Sequence, residues 1–214
     1  MELVGKIIGW FLLPGLALAF IFIRRWYLKN VAPRWEAQTR IYLANHLADR
    51  GREDEPWLLE HAVGEYLQAL MLDRNNYDGH AGLARTHSYI ASWFDGSCPQ
   101  SKKWQKWGWS ASSCRARAVE ECREAIRLDS ERFEAYSTLA YCLELEGHLS
   151  AAVVEYRETI RLTAAHAARL SKEYLSYPHQ RLGLVLRKLG QHEEALAEFA
   201  WARRLCPDWN PPPE

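Results

Sequence analysis

SYPHQRLGLVLRKLGQHEEALAEFAWARRLCPDW, residues 176–209, is the stretch that decides the fold of this chain. Its apolar residues recur at helical spacing on both sides of a glycine, which predicts two helices joined by a turn. Gly183 and Ala195 are small enough to let the two helices approach closely. The larger side chains that fill the space between them are Leu182, Leu186 and Phe199. Such a hairpin cannot bury its apolar face alone, so we expect similar hairpins upstream.

The same stretch resembles a tetratricopeptide (TPR) repeat, which is 34 residues long. In addition to the residues named above, Gly190 stands where the repeat has its turn. Ala202 stands where the second helix packs, and Pro207 stands where that helix ends. The resemblance implies an all-α fold in which helical hairpins stack into a right-handed solenoid. It also implies that the chain holds a protein partner, without naming that partner.

The register of residues 176–209 predicts about four repeats within a solenoid that covers residues 34–209. The repeats are 43–76, 77–132, 133–166 and 176–209. The second repeat contains an insertion, residues 92–113, because the pattern of its second helix returns late, at Ala118, Cys122 and Ala125. Extra residues before the fourth repeat fall in the alanine-rich stretch 164–172, where an over-long helix is expected. Residues 210–214 form a short tail.

The amino-terminal residues predict a membrane anchor, residues 1–24, followed by a juxtamembrane linker, residues 25–33. Residues 3–23 are apolar apart from Lys6, and such a run is long enough to cross a bilayer. Its Leu, Ile, Val and Phe residues favour insertion by about 4 to 8 kcal/mol before the cost of Pro14 and Lys6. The alternative is a signal peptide cleaved after Ala19, but the apolar run continues past that site.

Basic residues after the apolar run predict its orientation. The residues expected at the membrane interface are Arg24, Arg25, Trp26 and Tyr27. By the positive-inside rule, everything after Arg24 lies in the cytoplasm. Five cysteines without a C-x-x-C pair agree with a reducing compartment. We therefore expect a single-pass protein of a bacterial inner membrane or its equivalent, with a cytoplasmic solenoid.

Composition and motifs argue against several function classes. Basic and acidic residues both number 27, so no overall charge favours nucleic acid. The sequence has no phosphate-binding glycine loop, no G-x-S-x-G and no H-E-x-x-H. His80 and His87 are seven residues apart on one predicted helix, but repeat-interior histidines explain them better than a metal site. We expect no enzyme, cofactor, metal or small-molecule substrate.

The TPR resemblance places a candidate binding site on the concave face, which the first helix of each repeat lines. The residues that this geometry nominates are Arg85, Tyr89, Tyr141, Arg181, Arg187 and Lys188. A basic and aromatic groove suits an acidic or helical segment of a partner. The alternative is that these are ordinary solvated positions.

The insertion 92–113 is unusually aromatic. It contains Trp93, Trp104, Trp107 and Trp109 together with Lys102, Lys103 and Lys106. Such a segment is either a lid packed on its own repeats or a contact surface for protein or lipid. We predict that the insertion is the principal docking element, with Trp104, Trp107 and Trp109 as the anchors.

These features favour a non-catalytic, membrane-tethered TPR scaffold, an accessory or assembly subunit that docks onto a membrane protein complex. One alternative is a tethered adaptor that captures linear segments of transient clients in secretion or membrane-protein quality control. Another keeps the fold and reverses the topology, which makes the chain a periplasmic assembly factor.

Overall fold

The computed structural model describes residues 22–53, 55–94 and 100–212, and this part of the chain is all-α. The helices are α1 (Ala32–Glu53), α2 (Leu58–Leu72), α3 (Tyr77–Trp93), α4 (Gln100–Lys106), α5 (Ala111–Leu128), α6 (Phe133–Leu145), α7 (Leu149–Ala165), α8 (Lys172–Lys188) and α9 (His192–Leu205). A 3₁₀ turn, Ala167–Arg169, stands between α7 and α8. Residues 22–30 are also helical.

The helices pair into four hairpins that stack in chain order. The pairs are α1 with α2, α3 with α5, α6 with α7, and α8 with α9. The second helix of each hairpin also packs on the first helix of the next, so every hairpin buries its apolar face against a neighbour. This stacking confirms the predicted all-α, TPR-like solenoid.

The first helices of the hairpins form the inner layer of the stack. Neighbouring first helices touch one another, α1 with α3, α3 with α6, and α6 with α8. Contacts between successive second helices are sparse in the part of the chain that the structure describes. A stack whose two layers are unequally close curves toward the closer layer. The groove therefore lies along α1, α3, α6 and α8.

Two glycines set the close approach between helices. A Cβ atom added to Gly183 would lie 2.4 Å from the ring of Phe199, which confirms the predicted seam between α8 and α9. A Cβ atom added to Gly82 would lie 2.4 Å from the ring of Tyr66. Gly82 therefore plays the same part between α3 and the second helix of the preceding hairpin.

The turns of the last two hairpins share one geometry. Gly147 and Gly190 have φ angles of +80° and +77°, in the left-handed region that favours glycine. The His148 N–H donates to the Leu143 carbonyl at 2.9 Å, and the Gln191 N–H donates to the Leu186 carbonyl at 3.0 Å. These bonds span six residues, as in a Schellman motif, and end α6 and α8 sharply.

The predicted linker, residues 25–33, is helical in the structure. The Val31 N–H donates to the Tyr27 carbonyl at 2.9 Å, and the Trp35 N–H donates to the Val31 carbonyl at 3.0 Å. Helical bonding thus runs from residue 22 into α1, past Pro33. Most of the predicted span, residues 3–21, lies outside the described residues. Within the described ranges, no helix is long and apolar enough to cross a membrane.

The chain departs from a regular repeat in two places, the insertion in the second hairpin and the extra residues before the fourth hairpin. The insertion contains the short helix α4, between the end of α3 at Trp93 and the start of α5 at Ala111. The extra residues before the fourth hairpin lengthen α7 only in part, because α7 has 17 residues against 14 in α9 and ends at Ala165. The rest form the 3₁₀ turn and the first turn of α8, which Ser171 caps through the Tyr174 N–H.

Candidate functional site

One half of the groove is built on α1 and α3 around Asn45. The Arg85 guanidinium donates to the Asn45 Oδ1 atom at 2.7 Å, and the Tyr66 hydroxyl donates to the same atom at 2.7 Å. The guanidinium of Arg52 lies 5.7 Å from the centre of the Tyr89 ring. These contacts hold the predicted groove residues Arg85 and Tyr89 side by side, one helical turn apart.

The other half of the groove is organised by a buried acid, Glu144, which is 5% exposed. The Arg181 guanidinium donates to Glu144 Oε2 at 2.6 Å, and the Lys188 ammonium donates to Oε1 at 2.9 Å. The Tyr156 hydroxyl donates to Oε2 at 3.1 Å. Arg181 also lies 5.1 Å from the centre of the Tyr141 ring. Two predicted groove cations are therefore held by one carboxylate, which fixes their positions and neutralises one charge.

Tyr177 joins the two halves and was missed at the sequence level. It is 40% exposed, and it lies within electrostatic range of Tyr89 and Tyr141. A usable signal was present, because Tyr177 precedes Arg181 by four residues and therefore shares its face of α8. The groove is thus a row of tyrosine rings, one from each of α3, α6 and α8, flanked by arginines.

Arg187 does not belong to this groove, contrary to the expectation from the sequence. Its Nη1 atom donates to the Pro212 carbonyl at 2.9 Å, and its guanidinium lies 5.7 Å from the centre of the Phe199 ring. Phe199 is on α9, and Pro212 is in the tail. Arg187 therefore lies on the side of α8 that faces its own hairpin and the carboxyl-terminal residues.

Trp104 requires a correction, because it is fully buried and cannot serve as an exposed anchor. Its ring lies 5.6 Å from that of Phe94, and its indole N–H donates to the Glu60 carboxylate at 2.6 Å. Lys103 donates to the second oxygen of the same carboxylate at 2.8 Å. The insertion is thus fastened to α2 in the first hairpin. A buried indole needs a partner for its N–H, and Glu60 supplies it.

The remaining tryptophans of the insertion differ in exposure. Trp107 is 52% exposed, with the Lys103 ammonium 4.6 Å from its ring centre. Trp109 is half-buried, and its ring lies 6.0 Å from those of Trp107 and His87. Trp93 is half-buried against the core of the first two hairpins. Of the three predicted anchors, Trp107 alone presents most of its ring to a partner.

The two histidines of α3 have separate structural roles. His80 Nδ1 lies 2.6 Å from Glu121, and its other ring nitrogen lies 2.9 Å from the Arg74 carbonyl. Burial lowers the pKa of His80, but the bonds to Glu121 and Arg74 outweigh it and raise the pKa overall. Burial, with Arg117 nearby, lowers the pKa of His87 to about 4. Among the described residues, no cluster of His, Cys, Asp or Glu is arranged to hold a metal ion.

The predicted membrane-interface residues and the insertion occupy opposite edges of the stack. Arg24, Arg25, Trp26 and Tyr27 are exposed on the helical residues that precede α1. The insertion packs near Glu60, at the other end of the first hairpin. Between these edges runs α1, which has 22 residues and is therefore about 33 Å long. The tryptophans of the insertion thus lie away from the edge on which residues 24–27 are exposed.

No protein-family model matches the chain. No curated protein sequence matches it either. Solved structures do resemble it. PilF of Pseudomonas aeruginosa superposes with a TM-score of 0.59 and 21% identity, over 83% of this chain and 64% of that one. TTC0263, a thermophilic TPR protein of Thermus thermophilus, gives 0.59 and 14% identity, over 94% of this chain and 88% of that one. A double mutant of MamA RS-1 superposes with a TM-score of 0.53 and 16% sequence identity, over 98% of this chain and 97% of that one.

These likenesses show that the chain has a TPR fold, and at such low identities they show the fold alone. The chain spans 64% of the length of the PilF chain. A TPR solenoid presents a groove that holds segments of other proteins. The architecture is therefore a stack of helical hairpins with a groove along their first helices.

Proposed function

We propose that this protein is a non-catalytic, membrane-tethered scaffold, an accessory or assembly subunit that docks onto a membrane protein complex. The observation that carries the proposal is the helical connection from residue 22 to residue 53. At its start it meets the apolar residues 3–21, and near its end it supplies Asn45 and Arg52 to the groove.

A helical connection has a mechanical consequence for tethering. Residues 22–30 and 32–53 are helical stretches about 14 Å and 33 Å long at the rise of an α-helix, and backbone hydrogen bonds continue across residue 31. A flexible linker would let the groove sample a wide volume, whereas a helical connection restricts its height and direction. Fixed geometry of this kind suits docking onto a neighbour in the same membrane, because both contacts are then made together.

The groove itself suits a protein segment that carries both apolar and acidic groups. Tyr89, Tyr141 and Tyr177 provide aromatic surface, and Arg85 and Arg181 provide cations whose positions are fixed by hydrogen bonds. Tyrosine and arginine are the residue types that most often dominate the binding energy of protein interfaces. Because their side chains are already ordered, little conformational entropy is lost when a partner binds.

The second candidate function is an adaptor that captures linear segments of transient clients. The tyrosines of the groove favour it, with Tyr177 exposed and Tyr89 and Tyr141 half-buried, since aromatic surface accepts an extended or helical segment from many sources. The two functions differ in stoichiometry. A subunit is recovered with one constant partner set, and an adaptor with many partners in small amounts.

The test is purification of the full chain from its native membrane in a mild detergent. We expect one membrane complex in near-equimolar amount, and we expect the double substitution Tyr89→Ala, Tyr177→Ala to reduce its recovery about tenfold or more. Leu196→Ala is the control, because Leu196 is 66% exposed on α9, a second helix that does not line the groove. Many substoichiometric partners would favour the adaptor. Unchanged recovery from the double variant would remove the groove from the docking surface.

A further inference from the structure

A hollow at the amino-terminal edge of the stack is separate from the groove. It has a volume of about 370 Å³ and is lined by Trp26, Lys29, Asn30, Pro33, Arg34 and Leu72. The hollow forms because α2 ends at Leu72 while the helix that leads into α1 extends beyond it. Its volume lies within the range of small-ligand pockets.

The cations of the hollow form no ion pair with any described residue, whereas two arginines further along, on α1, do. Arg40 pairs with Glu36 and Glu65, and Arg50 pairs with Glu55. Neither Lys29 nor Arg34 forms an ion pair with any described residue. Two cations on one hollow, with no ion pair among the described residues, attract an anion. Asn30 donates one N–H of its side-chain amide to the Trp26 carbonyl.

The surroundings of the hollow are apolar, which indicates where the anion comes from. Met71, in the last turn of α2, is 86% exposed, and the adjacent Leu72 lines the hollow. Phe22, Ile23 and Trp26 are exposed on the helix that forms the other wall. A free phosphate ion gains nothing from exposed Met and Phe side chains. A lipid interface accepts them together with the tryptophan and the cations.

The position of the hollow along the chain agrees with a lipid ligand. Lys29 lies six residues after Ile23, a rise of about 9 Å along a helix. If the hydrocarbon core ends near Ile23, this height is close to the headgroup layer, and long basic side chains extend toward it. Because residues 3–21 lead directly into this helix, the chain itself brings the hollow to a bilayer.

We propose that the hollow binds the headgroup phosphate of an anionic phospholipid, with Lys29 and Arg34 as the ligands and Met71 entering the interfacial layer beside it. This inference rests on the membrane tether of the proposed function and goes beyond it. A second contact, some distance from the span, fixes how the solenoid stands on the membrane. The groove then faces a set direction, which a single helix by itself does not ensure.

The first experiment measures lipid retention by native mass spectrometry on the full chain in detergent, mixed with equal amounts of phosphatidylglycerol and phosphatidylcholine. The parent is expected to retain phosphatidylglycerol preferentially, and Lys29→Ala with Arg34→Ala to reduce that preference about tenfold. Lys102→Ala with Arg203→Ala is the control. Because Lys102 lies in the insertion, Arg169→Ala with Arg203→Ala is a second control that lies outside it, and each control removes the same charge from two exposed residues with no ion pair among the described residues. Equal lipid preference in the parent and the Lys29, Arg34 variant would overturn the proposal.

Two further measurements separate the possible sources of the anion. Millimolar inorganic phosphate should not displace the lipid, and displacement would make the hollow a general anion site. A photoreactive benzoylphenylalanine placed at position 71 should form lipid adducts in nanodiscs, whereas the same group at exposed position 154 on α7 should not. Protein adducts alone at position 71 would assign the surface to a protein partner.

Alkaline extraction of membranes distinguishes failure of this inference from failure of the proposed function. If the chain stays in the pellet but shows no lipid preference, the tether stands and the headgroup site is wrong. If alkali releases the chain, the tether is wrong, and the lipid site loses the membrane on which it rests.

Discussion

The second and fourth hairpins use the same seam between their helices but close it in different ways. In the fourth, α8 and α9 are joined through Gly190, whose φ of +77° ends α8 sharply. In the second, α3 and α5 are joined through an insertion that contains α4 and fastens Trp104 to Glu60 of the first hairpin. The packing of two helices therefore does not determine their connection. The long connection also adds a contact between the first and second hairpins, Trp104 with Glu60.

The same pair of hairpins differs at one equivalent interior position. His87 lies ten residues after Tyr77, where the second repeat begins, and Leu186 lies ten residues after Ser176. Both side chains are buried. Leu186 packs in the core of the last two hairpins, whereas His87 lies beside Trp109 of the insertion. A titratable group thus occupies the position where the regular hairpin has an apolar one.

The largest expected effect comes from breaking the regular hairpin. Ala195 is 1% exposed between α8 and α9, so Ala195→Glu overpacks the seam and buries an unpaired charge. We expect a loss of about 4 kcal/mol or more in the free energy of unfolding, measured by urea titration of the purified chain.

Ala197→Glu is the control for this prediction, because Ala197 is exposed on the same helix. Its expected effect is below about 0.5 kcal/mol. Hydrogen exchange should show that the Ala195 variant loses protection first in α8 and α9. If both variants unfold at the same urea concentration as the parent, the register of the fourth hairpin is wrong.

The second effect tests whether the insertion is part of the core. Trp104→Ala removes a fully buried ring and leaves Glu60 without its indole donor, which should cost about 3 to 4 kcal/mol. Trp107→Ala removes a half-exposed ring a few residues away and should cost less than about 1 kcal/mol. Thermal unfolding followed by circular dichroism compares the two. Equal losses would mean that the insertion does not pack as the structure shows.

The smallest effect is a pH dependence carried by His87. Burial, with Arg117 nearby, lowers its pKa from 6.5 to about 4, so between these values the unfolded chain binds a proton that the folded chain does not. Stability from His87 is therefore present above about pH 6.5 and is lost as the pH falls toward 4, on the order of 3 kcal/mol. His87→Leu restores the residue type of the fourth hairpin. In urea titrations between pH 7 and pH 4, this variant should lose less of its free energy of unfolding as the pH falls than the parent does.

The raised pKa of His80 acts in the opposite direction, because its stabilisation is lost as the pH rises. Both the parent and the His87 variant retain His80, so the difference between them isolates His87. If the free energy of unfolding falls equally in both proteins between pH 7 and pH 4, His87 is not buried in its neutral form.

The stacked hairpins could be predicted because each depends on residues close together in sequence. The helix periodicity, the small residue at Gly183 and the turn at Gly190 are all local signals, and the structure confirms them. The groove was predicted in part for the same reason. Arg85, Tyr89, Tyr141 and Arg181 follow from the face of each first helix, and Tyr177 shares a face with Arg181.

Errors arose where a side chain's partner lies far away in sequence. Trp104 and Glu60 are separated by 44 residues, and nothing near either one indicates the other. Arg187 was assigned to the groove by register, but its partner is a carbonyl of the tail. Glu144 was not singled out at all, since its buried state depends on Arg181 and Lys188 from another hairpin.

The sequence by itself determined which segments are helical, how they pair, and that the hairpins stack into a TPR-like solenoid, because helical periods and turn residues act over a few positions. The tertiary structure decided which polar and aromatic residues remain available. It buried Trp104, joined Arg181 and Lys188 to Glu144, and placed Lys29 and Arg34 around a hollow without an ion pair to any described residue. Availability depends on contacts between distant hairpins, and those contacts exist only once the stack has formed.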